Sequence, residues 1–85
     1  MRYVIAESAV IDGYAVALWV SHGSPLKRKP GFYWATVERN SETLLDAHGE
    51  ASNSGRAKSA ALWSIRDTIA RDRRATLEGA KGGAL

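Results

Sequence analysis

The stretch YVIAESAVIDGYAVALWVS, residues 3–21, decides how the chain is built. At its centre lies Asp12-Gly13, a strong short-range signal for a two-residue hairpin turn, because both central positions need positive φ and Asp and Gly tolerate it. On either side, Tyr3 to Ile11 and Tyr14 to Ser21 are rich in Val, Ile, Tyr and Trp, the side chains that suit a pleated surface. Two antiparallel strands are expected. In the second, Tyr14, Val16, Leu18 and Val20 share one face and Ala15, Ala17 and Trp19 the other, by the period of two. The first set is the candidate core face.

Beyond this hairpin, His22 to Pro30 reads as a loop, since it holds Gly23, Pro25, Pro30 and the run Lys27-Arg28-Lys29. Gly31 to Arg39 resumes the strand pattern, with Phe32, Trp34 and Thr36 on one face and Tyr33, Ala35 and Val37 on the other. Arg39-Asn40-Ser41-Glu42 is a turn, and Thr43 to Glu50 returns as a short strand whose Asp46, His48 and Gly49 mark it as an edge. Asn53 and Ser54 are good helix caps, and after them Ala57, Ala61, Leu62, Ile65 and Ile69 recur at helical spacing. Arg71, Arg73 and Arg74 favour a helix C-terminus nearby, so the spacing predicts a helix to about Thr76. Residues 78–85, with three glycines and a lysine, read as a flexible tail. The fold class expected is α+β: an antiparallel three- to four-stranded meander packed on one C-terminal helix, in the order ββββα, as a single domain over residues 1–77.

Composition bounds what such a body can do. A chain of 85 residues buries only about 60–65% of its unfolded surface, which leaves little room for both a core and a deep pocket. Apolar residues make up 45% and charged residues 25%, the balance of a globular domain. With no cysteine there is no disulfide and no thiolate zinc site, and a cytoplasmic location is the default expectation. Glu7 and Asp12 interrupt the apolar N-terminal region, and no window reaches the roughly 20 uncharged residues of a membrane span, so no membrane association is expected. Net charge is +3, unevenly placed: residues 1–50 carry five cations against six anions, residues 51–85 seven against three.

Motifs of chemistry are sparse. His48-Gly49-Glu50 matches the H-x-E fragment of zinc deaminases, but that signature also needs a downstream cysteine pair. His22, His48 and Asp46 are pieces of a Ser-His-Asp set without the Gly-x-Ser-x-Gly elbow. There is no phosphate loop and no dinucleotide fingerprint. The expectation is a chain without catalytic residues, cofactor or metal.

Surfaces are more informative. Lys27, Arg28 and Lys29 sit between prolines that stiffen the loop and display the charges, which suits a contact loop and equally a solvated one. Phe32-Tyr33-Trp34 follows, but alternation lets at most two of these rings share a surface, and one strand face must feed the core. Trp19 lies on the strand face opposite Leu18, and Trp63 sits about 100° around the helix from Leu62; each is either core or an exposed anchor. Arg66, Arg73 and Arg74 lie within about 100° of one another on the same helix, toward Trp63, and suit carboxylates of a partner protein or phosphates. The candidate partner-binding residues are therefore Lys27, Arg28, Lys29, Trp63, Arg66, Arg73 and Arg74.

The run GFYWATVERNSETLLDAHGEASNSGRAKSAALWSIRDTI, residues 31–69, resembles the strand-turn-strand-helix pattern of small bacterial and phage proteins. Its order of elements is similar to plant AP2 domains and integrase arm-binding domains, which lay a sheet in the DNA major groove. It departs from them in charge: its third and fourth strands offer Arg39 against Glu38, Glu42, Asp46 and Glu50. In type, the chain also resembles phage-encoded inhibitors such as anti-CRISPR proteins, which implies docking on a bacterial protein or ribonucleoprotein complex. Two readings follow: a non-enzymatic protein-binding module, and a nucleic-acid-binding module using the same cations. A homodimer formed by pairing a sheet edge is compatible with both.

Overall fold

The computed structural model describes residues 3–21 and 30–83, with side chains placed from Ala6 to Ser21 and from Pro30 to Leu77. Strands β1 (Tyr3–Ile11), β2 (Tyr14–Ser21), β3 (Gly31–Arg39) and β4 (Glu42–Ala51) are followed by one helix, α1 (Ser54–Gly83). The strands form one antiparallel sheet in the order β1-β2-β3-β4, so the fold is the α+β meander with one C-terminal helix that the sequence pattern implies. The first three strands end where the pattern places them, and β4 is one residue longer at each end.

Two tight turns set the register. Asp12 (φ 50°) and Gly13 (φ 85°) join the paired residues Ile11 and Tyr14, and Asn40 (φ 52°) and Ser41 (φ 66°) join Arg39 and Glu42. Two consecutive positive φ values give a turn whose twist matches that of the strands it connects. The β3–β4 pairing then shifts between Val37, opposite Leu45, and Glu38, opposite Thr43, which leaves Leu44 as an extra residue on β4. This bulge brings both Leu44 and Leu45 against the core, where strict alternation would turn one of them away.

The core lies between one sheet face and α1. Tyr14, Val16, Leu18 and Val20 of β2 and Ala35 and Val37 of β3 meet Ala57, Ala61, Ile65 and Ile69 of the helix. Ala57 and Ala61 are fully buried and small, so the first turns of α1 approach the sheet closely; Ile65 and Ile69 fill the wider space further on. The helix starts on an Asn53 cap whose Oδ1 accepts the Arg56 N–H at 2.9 Å. Gly31, at the head of β3, must be glycine, because a Cβ there would lie 2.5 Å from the Asn53 carbonyl oxygen. Ser21 is buried, and its hydroxyl accepts the Phe32 N–H at 2.9 Å where β2 leaves the sheet.

At its other end the helix departs from expectation. It continues to Gly83 instead of stopping near Thr76, so residues 78–83, read from sequence as tail, are helical. Extending a helix adds one hydrogen bond per residue fixed, far less costly than nucleating one, and Ala75, Leu77, Glu78, Ala80 and Lys81 are all strong helix formers that outweigh single glycines. No helix among the described residues is long and apolar enough to cross a membrane.

Two substitutions check this account of the sheet. Tyr33 lies opposite Gly49, and a Cβ at 49 would overlap its ring. Gly49→Ala is therefore expected to cost about 1–3 kcal/mol in urea unfolding, because the ring must leave its place against the core. Ser41→Gly removes a side chain from a left-handed position and is expected to raise stability by up to about 1 kcal/mol in the same measurement.

Candidate functional site

Helix α1 packs on β3, with β2 and β4 to either side, and its backbone stays clear of β1. Among the described residues, no element covers the helix-side face of β1. Glu7, Ala9 and Ile11 pair with Leu18, Val16 and Tyr14, so they share the core face by register, yet all three are exposed. Beside α1 a groove of about 840 Å³ results, floored by Ala9, Ile11, Val16 and Leu18 and walled by Leu62, Ile65 and Ile69.

Charge is arranged along this groove in a definite order. Lys58, Arg66 and Arg73 lie with Leu62, Ile65 and Ile69 within about 100° of arc, on the α1 flank that faces β1. At one end the Lys58 ammonium meets Glu7 of β1 at 3.6 Å, and at the other the Arg73 guanidinium pairs with Asp12 of the first turn. The two pairs are about 22 Å apart along the helix and tie its flank to the edges of the groove. Between them Arg66 is exposed and has no ion-pair partner among the described residues.

Where α1 leaves the sheet, a polar node fastens it. The Tyr14 hydroxyl donates to Asp72 Oδ2 at 2.6 Å, and Arg39 of β3 pairs with the same carboxylate and reaches Thr76 Oγ1 at 3.2 Å. The guanidinium carbons of Arg39 and Arg73 each lie 5.9 Å from the Tyr14 ring centroid, so the ring has cationic neighbours from both β3 and α1. The hydrogen bond to Asp72, with burial second, raises the Tyr14 pKa above its ordinary value, and the nearby Arg39 opposes this.

The opposite face of the sheet carries a second feature. Trp19, Trp34 and His48 stand in register across β2, β3 and β4. The two indoles stack at 4.6 Å between centroids with a 29° interplanar angle, and Trp34 stacks on His48 at 5.2 Å and 23°. Trp34 Nε1 donates to Asp46 Oδ1 at 2.5 Å, which fixes the central ring. The stack covers both faces of Trp34 and leaves an outer face on Trp19 and His48 alone, so the row is not a flat platform on which successive bases could lie. Its flanking charges on this face, Glu38, Asp46 and Glu50, also oppose a phosphate backbone.

The residues singled out from sequence are thus distributed. Trp63 is exposed, at 66% of its full surface, and is not core; it lines a depression toward β4 with Leu44, Leu45 and Arg71. Arg66 and Arg73 line the β1 groove, while Trp63 stands at the helix crest three residues and about 60° from Arg66. Arg74 is exposed near the crest. Lys27, Arg28 and Lys29 lie outside the described residues. Trp19 is half-buried on the outer sheet face, stacked on Trp34. Ala9, Ile11 and Leu62 escaped the sequence reading as site residues, because pairing with Val16 and Tyr14 sets Ala9 and Ile11 on the helix side and only the sideways position of α1 exposes them. No family model, characterised protein or solved structure matches the chain.

The Tyr14 node carries a pH signature. A tyrosine whose pKa is raised in the folded state keeps its proton while the unfolded chain loses it, so stability is fully present below the ordinary value of 10.0 and falls as pH rises beyond it. Urea midpoints measured across that range are expected to fall more steeply for the natural chain than for Tyr14→Phe. Parallel curves would remove the node from the account.

Proposed function

We propose that this chain is a small non-enzymatic protein-binding module, an adaptor or inhibitor, that docks through the groove between β1 and α1. The carrying observation is the open groove: Ala9 and Ile11 are exposed beside half-buried Leu62, over buried Leu18, with no described element covering them. Clustered apolar surface rimmed by charge marks interaction sites. Arginine at the rim suits a protein partner, where it steers and orients binding.

The reading as a nucleic-acid binder has less support. Arg39, Lys58, Arg71 and Arg73 are paired with Asp72, Glu7, Asp67 and Asp12 of the same chain, which removes much of the basic excess from the field a phosphate backbone would meet.

Pull-down from bacterial lysate at about physiological salt, with and without nuclease treatment, tests the proposal. A defined protein is expected to be retained after nuclease by the natural chain and lost with Ile11→Asp, a substitution at a position 46% exposed, with the fold of the variant checked by circular dichroism. Retention of nucleic acid alone, released by salt, would replace the protein reading with the phosphate one. A partner equally retained by Ile11→Asp would move the docking face elsewhere.

A further inference from the structure

The shape and charge of the groove say what kind of segment fills it. A helix is about 10 Å across and strands are about 4.8 Å apart, so one helix covers about two strands. Helix α1 sits over β3 and reaches its neighbours β2 and β4, so the groove over β1 and the near side of β2 is floored by the sheet and walled by α1. One further helix, lying alongside α1, completes the layer. Its length is bounded by the Lys58–Glu7 and Arg73–Asp12 pairs, whose spacing along α1 corresponds to about 15 helical residues.

The charges select among helices. On the α1 wall stand Lys58, Arg66 and Arg73, and the central one is without an ion-pair partner among the described residues. The end pairs are exposed ion pairs of the kind that contribute at most about 1 kcal/mol, so carboxylates of an incoming segment can replace Glu7 and Asp12 at little cost. A second copy of this chain does not meet the requirement, since the outward face of its helix presents Arg66, Arg71 and Arg74 and would set cation against cation.

We infer that the groove takes a short amphipathic helix of a partner protein, apolar toward Ala9, Ile11 and Leu62, with a carboxylate on the flank that meets Arg66. The inference rests on the groove being the docking face. Binding of this kind places the anchors of the partner at helical spacing on one face.

A display library of helix-forming peptides about 15 residues long, with varied apolar positions and either Glu or Lys on the flank, is selected against the intact chain. Glu-flanked sequences with apolar residues at spacings of three and four are expected to be enriched. The best of them should shift the methyl resonances of Ala9, Ile11 and Leu62, and Arg66→Glu should weaken it by about fivefold or more while favouring the Lys-flanked counterpart. Enrichment of alternating, strand-forming sequences that shift β1 amides overturns the helix and leaves the docking face standing. Enrichment of neither kind, or equal affinity for Glu and Lys flanks, also overturns the inference. The docking face itself is decided separately, by whether Ile11→Asp loses the protein retained from lysate.

Discussion

One helix about 10 Å across cannot cover a sheet of four strands, and most of what distinguishes this molecule follows from where the helix is set down. Its position is dictated by side-chain size. Ala57 and Ala61 admit the closest approach, and they lie against the centre of the sheet, where Ala35 and Val37 of β3 and Val20 of β2 are themselves fully buried. Small facing small draws the start of α1 toward β3, and the Asn53 cap beside Gly31 pins the same end to the head of that strand. The far end is held by Asp72, which receives both Tyr14 from β2 and Arg39 from β3. With both ends fastened to the middle strands, no described element covers the helix-side face of β1.

That outcome separates what the sequence makes legible from what it hides. Periodicity and turn chemistry act over neighbouring residues, and Asp12-Gly13, the alternation of Tyr14 to Val20 and the spacing of Ala57 to Ile69 therefore locate the elements and their inner faces. The lateral position of a helix on a sheet is a long-range property. Nothing in the alternation of Ala9 and Ile11 distinguishes a covered strand from an uncovered one, and Ile11, on the helix side by register, is 46% exposed. The same holds for Trp63, whose place at the edge of the apolar stripe is compatible with burial until the helix is seen to rest on its alanines. The stack of Trp19, Trp34 and His48 depends on the register of three strands, which turn length sets but no single strand displays. The helix end was misplaced for a different reason: glycines at 79, 82 and 83 weigh against a helix locally, whereas propagation from a well-anchored helix tolerates them.

Formal charge is a poor guide to this surface for a related reason. The C-terminal segment is basic by count, yet three of its cations, Lys58, Arg71 and Arg73, face carboxylates once α1 is in place, two of them on β1 and its turn. Pairing converts a basic helix into a surface of local dipoles, with Arg66 and Arg74 exposed beyond them. Meanwhile the outer sheet face gathers Glu38, Asp46 and Glu50 without a described cation among the outward side chains of the strands. The two sides of the molecule thus differ in sign.

This division bears on which side recognises a partner. An aromatic row with carboxylates at its flank resembles a recognition surface, but its rings already satisfy one another: Trp34 is stacked on both sides and its indole N–H is bonded to Asp46. Such a row stiffens a sheet that has no second layer on that face among the described residues, and cross-strand aromatic pairs are a recognised source of sheet stability. The groove is in the opposite condition. Ala9 and Ile11 on its floor have no described cover, its central arginine has no described partner, and its bordering ion pairs are exposed enough to be exchanged. Binding is driven by groups whose interactions are incomplete in the free protein, which places recognition on the helix side of the sheet and structural reinforcement on the other.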